Sequence, residues 1–139
     1  MNQSQEQTRK VAQNAFSLFQ QGLATGTWQP FLDCLTDDFV FWFPVGKYRG
    51  RNEGKEKAAE FFQYVSQIYP QGLTVNLERI TSNETTVVFE LNDEGLIRGE
   101  VLYRNRAAIS FDVRGNKICT YREYLGSDGK FSQDYNLVV

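Results

Sequence analysis

Glu123 is the carboxylate whose sequence surroundings best suit acid–base chemistry. It follows Tyr121 by two residues in an alternating segment, 117–125, so both side chains share one face of a predicted strand. A carboxylate among aromatic rings loses hydration, which raises its pKa and lets it exchange a proton near neutral pH. Glu123 is therefore the predicted catalytic acid or base, with Tyr103 as a second candidate. Alternatively, Glu123 forms a surface ion pair with a neighbouring arginine: Arg122, Arg104 or Arg106.

The other reactive residue types do not favour metal or nucleophilic chemistry. The sequence has no histidine, which removes the usual zinc ligand sets and the Ser-His and Cys-His pairs. Cys34 and Cys119 fit two free, partly buried thiols better than a disulfide framework. Asp37 and Asp38 fall at a helix-to-strand junction, where carboxylates usually cap the chain or stay solvated. We expect no metal and no cofactor.

Composition limits the class of protein. With 139 residues, 41% hydrophobic and 23% charged, the chain is typical of one globular domain covering 1–139. Its net charge of −2 argues against a nucleic-acid partner. No apolar run approaches the roughly 18 residues that span a bilayer, and Met1 leads into a Gln-rich polar stretch without a signal-peptide core. We expect a cytoplasmic protein with no nucleic-acid or membrane partner.

The segment 36–50 is the most aromatic part of the chain. Phe39, Phe41 and Phe43 fall on one face of a predicted strand, with Val40 and Trp42 on the other. Three rings on one side of a strand predict an apolar surface that lines the interior of the domain.

Three helices are predicted in the first half of the chain. Ser4 and Gln7 form a capping-box pattern at the start of a helix over about 5–24. A short second helix follows Thr27, and Asn52 is the predicted cap of a third helix. These helices carry apolar stripes that require a sheet or another helix to cover them.

After the third helix the hydrophobic period changes to two, and four antiparallel strands are predicted. The turns between them fall at 82–84, 92–95 and 114–116, and the run from about 96 to 113 reads as one long strand with a bulge at Gly99. The order helix, helix, strand, helix, four strands predicts an α+β fold: three N-terminal helices packed on a strongly curved, mostly antiparallel sheet. Such a fold leaves a cone with a central pocket.

Both faces of the last predicted strand are partly apolar. A sheet covered by helices on one side and by a second subunit on the other produces this pattern. Trp42, Tyr124 and Leu102 are the predicted anchors of a homodimer through the outer sheet face.

Four stretches, in order and over about residues 5–126, resemble the SnoaL-like proteins of the nuclear transport factor 2-like superfamily, which are related to ketosteroid isomerases and polyketide cyclases. They are Leu35 to Phe39, Lys47 to Gly50, Gly115 to Ile118 and Arg122 to Leu125. The resemblance implies the cone-shaped fold. It does not imply one activity, because this fold carries isomerases, cyclases, dehydratases, hydrolases and binding domains.

The positions that carry the isomerase chemistry are occupied by unreactive residues. The resemblance places Phe43 where the family has its aspartate base, and a phenyl ring cannot accept a proton. The tyrosine of the oxyanion hole falls near Phe16 or Phe19, and the protonated acid near Ala107 or Ala108. Where cyclases often have an aspartate near the end of the last strand, this chain has Gly126. These departures favour ligand binding over proton transfer.

The family's strand alternation, with Phe19 added from the first helix, predicts a mostly aromatic pocket with a few polar groups: Phe19, Phe39, Phe41, Phe43, Phe89, Leu91, Tyr103, Asn105, Tyr121 and Glu123. Sparse polar groups in such a site can hold a carbonyl or hydroxyl. The predicted function is binding of a small, largely apolar molecule with a polar group. Two alternatives stay open: an isomerase, cyclase or dehydratase that uses Glu123, and a non-catalytic dimerisation module whose hollow is filled by its own side chains.

Overall fold

The computed structural model describes residues 2–126, and its helices pack on one face of a single sheet. The helices are α1 (Gln3–Thr25), α2 (Gln29–Leu32) and α3 (Lys55–Ile68). The strands are β1 (Leu35–Phe43), β2 (Gly50–Glu53), β3 (Leu73–Ser82), β4 (Thr86–Ile97), β5 (Val101–Arg114) and β6 (Lys117–Leu125). A short 3-10 helix, Gly46–Tyr48, joins β1 to β2.

The six strands lie in the order β2-β1-β6-β5-β4-β3. All neighbouring pairs are antiparallel except β1 and β6, which run parallel. Helix α1 contacts β3 to β6, and α3 contacts β1 and β2. The predicted α+β fold of three helices on a mostly antiparallel sheet is confirmed, and the sheet is open because β2 and β3 are its two edges.

An aromatic core joins the helices to the sheet. Phe16 of α1 stacks on Phe89 of β4 with ring centroids 4.2 Å apart. Phe61 of α3 stacks on Phe41 of β1 at 4.9 Å, and Phe39 is fully buried beside Phe41. Buried rings of this size dominate the free energy of folding, at about 2–3 kcal/mol for each fully buried side chain.

Helix α1 ends close to the predicted residue 24 but begins earlier than predicted. Its N-cap is Asn2, whose side chain accepts from the Gln5 backbone in a capping box, rather than Ser4. Gly22 lies inside the helix, where its lack of a β-carbon makes room for the Trp28 ring. A β-carbon at this position would lie 2.4 Å from that ring. The helix stops at Gly26, which adopts the left-handed conformation of a helix C-cap.

The segment before α3 forms an edge strand that the sequence did not predict. Asn52 lies in β2, opposite Phe41, and its side-chain amide donates to the backbone oxygens of Tyr48 and Gly50. The helix cap is instead Gly54. Asparagine is a strong capping residue type, but the Asn52 amide binds the backbone of the segment that leads into the strand.

The turn between β4 and β5 is also displaced from the predicted place. The residues 92–95 continue β4, and the chain reverses at Arg98 and Gly99, both with positive φ. Gly95 is needed for packing, since a β-carbon there would lie 2.8 Å from the Leu73 side chain. The polar residues of 92–95 therefore extend the sheet, which places Asp93 in a strand.

Candidate functional site

A central cavity lies between the helices and the sheet, lined by seven aromatic residues, five aliphatic residues and two carboxylates. The lining residues are Phe19, Leu23, Phe43, Phe61, Phe62, Val65, Tyr69, Leu73, Leu91, Asp93, Tyr103, Ile109, Tyr121 and Glu123. The cavity volume is about 50 Å³, which is room for roughly three to five water molecules. A small molecule fits this cavity as it stands, whereas a steroid-sized ligand requires side chains to move.

Glu123 and Tyr121 lie side by side on the cavity wall. Both belong to β6, and the Tyr121 hydroxyl donates a hydrogen bond to Glu123 Oε1. Burial raises the pKa of Glu123 to about 7, and the negative charge of Asp93 acts in the same direction, while the Tyr121 hydrogen bond opposes them. Burial and the adjacent Glu123 raise the pKa of Tyr121 well above its ordinary value, so Tyr121 remains a proton donor in this bond.

The arginines that could have paired with Glu123 at the surface have other partners. Arg122 binds Asp112, with Nη1 2.7 Å from Oδ2. Arg104 and Arg106 pair with Glu94 and Glu78 on the outer surface. The predicted alternative, a surface ion pair of Glu123 with one of these arginines, is therefore not formed. Arg104, Arg106 and Arg122 extend from the face of β5 and β6 opposite to Glu123.

Asp93 is the second carboxylate of the cavity, and sequence reasoning missed it. It lies on β4 opposite Asn105 of β5 and Val75 of β3. Its Oδ1 atom is buried and has no hydrogen-bond partner among residues 2–126. Burial raises the pKa of Asp93 from an ordinary 3.8 to about 7. Asp93 is thus a carboxyl group that can be neutral or ionised at physiological pH.

One signal in the sequence could have found Asp93. Val87, Phe89 and Leu91 alternate inward along β4, and the same alternation continued for one more step reaches Asp93. The Asn-Asp-Glu-Gly composition of 92–95 favours a turn, and a turn there predicts a strand that ends at Leu91. The competing turn at Arg98 and Gly99 is equally compatible with the pattern.

Tyr103 and Asn105 form a short polar row on β5. The Asn105 amide donates to the Tyr103 hydroxyl at 3.3 Å, and Asn105 Oδ1 accepts from the Arg106 backbone at 2.8 Å. Tyr103 also packs against the ring of Tyr69, with centroids 5.4 Å apart. Tyr103 therefore presents a positioned hydroxyl at the cavity wall, and Asn105 supports it from behind.

The structure brings together six of the ten predicted pocket residues on the cavity wall: Phe19, Phe43, Leu91, Tyr103, Tyr121 and Glu123. The other four lie away from it. Phe39, Phe41 and Phe89 point to the predicted face of the sheet, but helix side chains fill that part of the interior. Asn105 is buried behind Tyr103. The alternation of side chains along each strand determines which residues face the interior. Which of those residues border the cavity depends on where helix side chains no longer cover the sheet.

The cavity contains acids but no basic side chain among the described residues. Within residues 2–126, no three His, Cys, Asp or Glu side chains are grouped as metal ligands. The arrangement can bind a hydrocarbon group on its rings, and it can exchange a proton or accept hydrogen bonds at Glu123 and Asp93.

No helix within residues 2–126 is long and apolar enough to cross a membrane. Cys34 and Cys119 are both free thiols.

Known proteins share this architecture. An NTF2-like protein from Anabaena variabilis is 60% identical, with a TM-score of 0.88 over 94% of this chain and 97% of that one. A SnoaL-like polyketide cyclase from Jannaschia is similar in fold, with 18% identity and a TM-score of 0.73 over 90% of this chain and 89% of that one. An LEH-like epoxide hydrolase of M. tuberculosis has 21% identity and a TM-score of 0.68 over 84% of each chain.

Among curated proteins, no sequence relative was found. The model of the SnoaL-like domain matches residues 17–121, a range that includes all three helices in whole or part and ends at Tyr121. With most of its length matched, and with an NTF2-like protein 60% identical to it, the chain belongs to the SnoaL-like family of NTF2-like proteins.

Proposed function

We propose that this protein binds a small, largely apolar molecule carrying one polar group in the central cavity. The observation that supports it is the composition of the wall, in which twelve apolar or aromatic residues surround two carboxyl groups. Small-molecule sites commonly combine an apolar lining with a few fixed polar groups. A hollow filled by the protein's own side chains, as in a pure dimerisation module, would leave no such space.

Methyl NMR tests this proposal directly. Leu91 and Ile109 line the cavity, whereas Ile118 is buried in another part of the core. Titration with small alcohols such as 1-butanol should shift the Leu91 and Ile109 methyl signals in a saturable way and leave Ile118 unchanged. If no such compound moves the cavity methyls at millimolar concentration, the binding proposal fails.

A blocking variant supplies the control. Ile109→Phe adds bulk to the cavity wall and should abolish the saturable shifts of Leu91. Leu96→Phe makes a comparable change at an exposed position and should leave binding unchanged. Equal binding by both variants would place the ligand outside the cavity.

An enzyme of isomerase, cyclase or dehydratase type is the second candidate function. It is favoured by the pKa of about 7 at Glu123 and by the Tyr121 hydroxyl bonded to it, since a general acid or base works best with a pKa near the operating pH. Solved relatives named as a polyketide cyclase and an epoxide hydrolase are consistent with this role. On any substrate that is turned over, Glu123→Gln should lower kcat by roughly a hundredfold or more, and undiminished turnover would exclude Glu123 as the acid or base.

We also propose a homodimer through the outer sheet face and a cytoplasmic location. The support for the dimer is the presence of exposed apolar side chains on that face: Leu102 is 54% and Tyr124 49% exposed, and Trp42 packs against the Tyr124 ring. The two free cysteines suit a reducing compartment.

A further inference from the structure

We propose that the polar group of the ligand is a cationic amine, bound by Asp93 and Glu123 while its hydrocarbon part packs on the aromatic wall. This inference rests on the proposed function and specifies the class of ligand for the same cavity. The ligand class is a small protonated alkylamine.

The first argument is the sign of the charges in the cavity. Among residues 2–126, Asp93 and Glu123 are the only carboxylic acids on its wall, and no lysine or arginine lines it. The remaining titratable groups that face the cavity are Tyr69, Tyr103 and Tyr121. Helices α1 and α3 and strands β1 and β3 contribute only apolar side chains to the wall. An anionic ligand would be repelled, and a cation is the complementary charge.

The second argument is an unused acceptor. Asp93 Oδ1 is buried and has no hydrogen-bond partner among the described residues, although such an atom normally finds one. Glu123 Oε1 already accepts from Tyr121, and its other oxygen has no hydrogen-bond partner among residues 2–126. An ammonium group carries three donors and no acceptor, so it can supply both carboxylates at once.

The third argument is the nature of the wall around these acids. Seven aromatic residues line the cavity, and the face of an aromatic ring attracts a cation. A divalent metal is disfavoured, since no third ligand of the His, Cys, Asp or Glu type is grouped with the pair in residues 2–126. The cavity volume of about 50 Å³ suits an amine of about four to six non-hydrogen atoms.

Binding of an amine should release protons from the two carboxyl groups, whereas binding of an alcohol should not. Burial places the pKa values of Asp93 and Glu123 at about 7, so both groups are partly protonated at neutral pH. A bound ammonium favours the ionised carboxylates and lowers their pKa values, and each carboxyl that ionises releases its proton to the buffer. An alkylamine itself stays protonated over this pH range, as a lysine side chain does.

The test is isothermal titration calorimetry with n-butylammonium chloride and with 1-butanol, which have the same number of non-hydrogen atoms, at constant ionic strength. At pH 8 the amine should bind at least tenfold more tightly than the alcohol. Its affinity should fall about tenfold or more from pH 8 to pH 6, and buffers of different ionisation enthalpy should reveal proton release near pH 6.5. Equal affinity for amine and alcohol, or amine binding independent of pH, would overturn the inference.

Matched variants assign the effect to the cavity. Asp93→Asn and Glu123→Gln should each weaken butylammonium binding at least tenfold and change 1-butanol binding less than threefold, which also shows that the variants are folded. Glu94→Gln neutralises the next residue of β4, an exposed acid paired with Arg104, and should leave both affinities unchanged. Amine binding that survives both cavity substitutions would overturn the inference.

The two proposals fail differently. If 1-butanol shifts the cavity methyls and butylammonium does not, the cavity binds apolar molecules and the amine class is wrong. If neither compound shifts them, the proposed binding function fails as well.

Discussion

Asp93 should make the stability of this protein fall as the pH rises, and Asp93→Asn should remove that fall. The pKa of this carboxyl is about 7 in the folded protein and 3.8 ordinarily. Between these values the folded state holds more protons than the unfolded state, so the free energy of unfolding decreases with increasing pH. The stability associated with Asp93 is complete below about pH 4 and is lost by about pH 7.

The size of the effect follows from the two pKa values. The ionisation penalty of Asp93 in the folded state is about 1.7 kcal/mol at pH 5 and about 4.3 kcal/mol at pH 8, the latter being nearly the whole difference between a pKa of 3.8 and a pKa of about 7 at 1.36 kcal/mol per pH unit. Relative to the wild type, the free energy of unfolding of Asp93→Asn should therefore increase by about 2.6 kcal/mol between pH 5 and pH 8. A buried asparagine adds an offset that does not depend on pH, so the slope is the quantity to compare.

Urea denaturation at half-unit steps from pH 5 to pH 8.5, followed by tryptophan fluorescence, measures this slope. Glu94→Gln is the matched control, because Glu94 is an exposed acid on the same strand, and its curve should run parallel to that of the wild type. A difference between Asp93→Asn and wild type that stays constant from pH 5 to pH 8 would show that Asp93 titrates as a solvated carboxyl. The physical basis for both the site and the amine inference would then be removed.

Three further outcomes are expected. Tyr121→Phe should raise the pKa of Glu123 above about 7, because the Tyr121 hydrogen bond stabilises the ionised form, and carbon-detected NMR of the carboxyl resonance will show an unchanged or lower value if that bond is unimportant. Gly72→Ala should lower the free energy of unfolding, measured in urea, by roughly 2–4 kcal/mol, because a β-carbon there would lie 2.2 Å from a backbone oxygen of α1 and the φ is +88°. Gly115→Ala is the control: its φ is +66° and the space around it is open, so it should cost only about 1–2 kcal/mol. Equal losses in the two variants would contradict the steric argument. Tyr124→Glu should weaken the proposed dimer at least tenfold in sedimentation velocity without lowering the free energy of unfolding by more than about 0.5 kcal/mol, whereas a wild-type protein that is monomeric at high concentration would refute the dimer.

Local patterns were enough to predict the layers of the fold. The strand alternation around Phe39 to Phe43 and the helical stripes of α1 and α3 depend on neighbours within a few residues, and the structure confirms the architecture they predict. The placement of Tyr121 and Glu123 on one inner face also follows from the period of two. Fold class was therefore accessible from the sequence.

The predictions were wrong where the same residues suit two different local structures. Asn52 is a good helix cap, but in the structure it lies in an edge strand paired with β1. The 92–95 segment is a good turn, but pairing with both β3 and β5 keeps it in the sheet. In both places hydrogen bonds to distant strands outweigh a local preference, and such bonds cannot be read from neighbouring residues.

The sequence by itself determined the residue types available to the site: an aromatic interior, no histidine, and a carboxylate beside a tyrosine on the last strand. Only the tertiary structure decided which of the inward rings are covered by helices and which border a cavity, because that depends on how far α1 and α3 extend over the sheet. It also decided that Asp93, 30 residues from Glu123 in the chain, lines the same cavity with a buried Oδ1 atom. Burial raises the pKa values of both groups, and the charge of Asp93 adds to the shift at Glu123; both effects are properties of the folded protein alone.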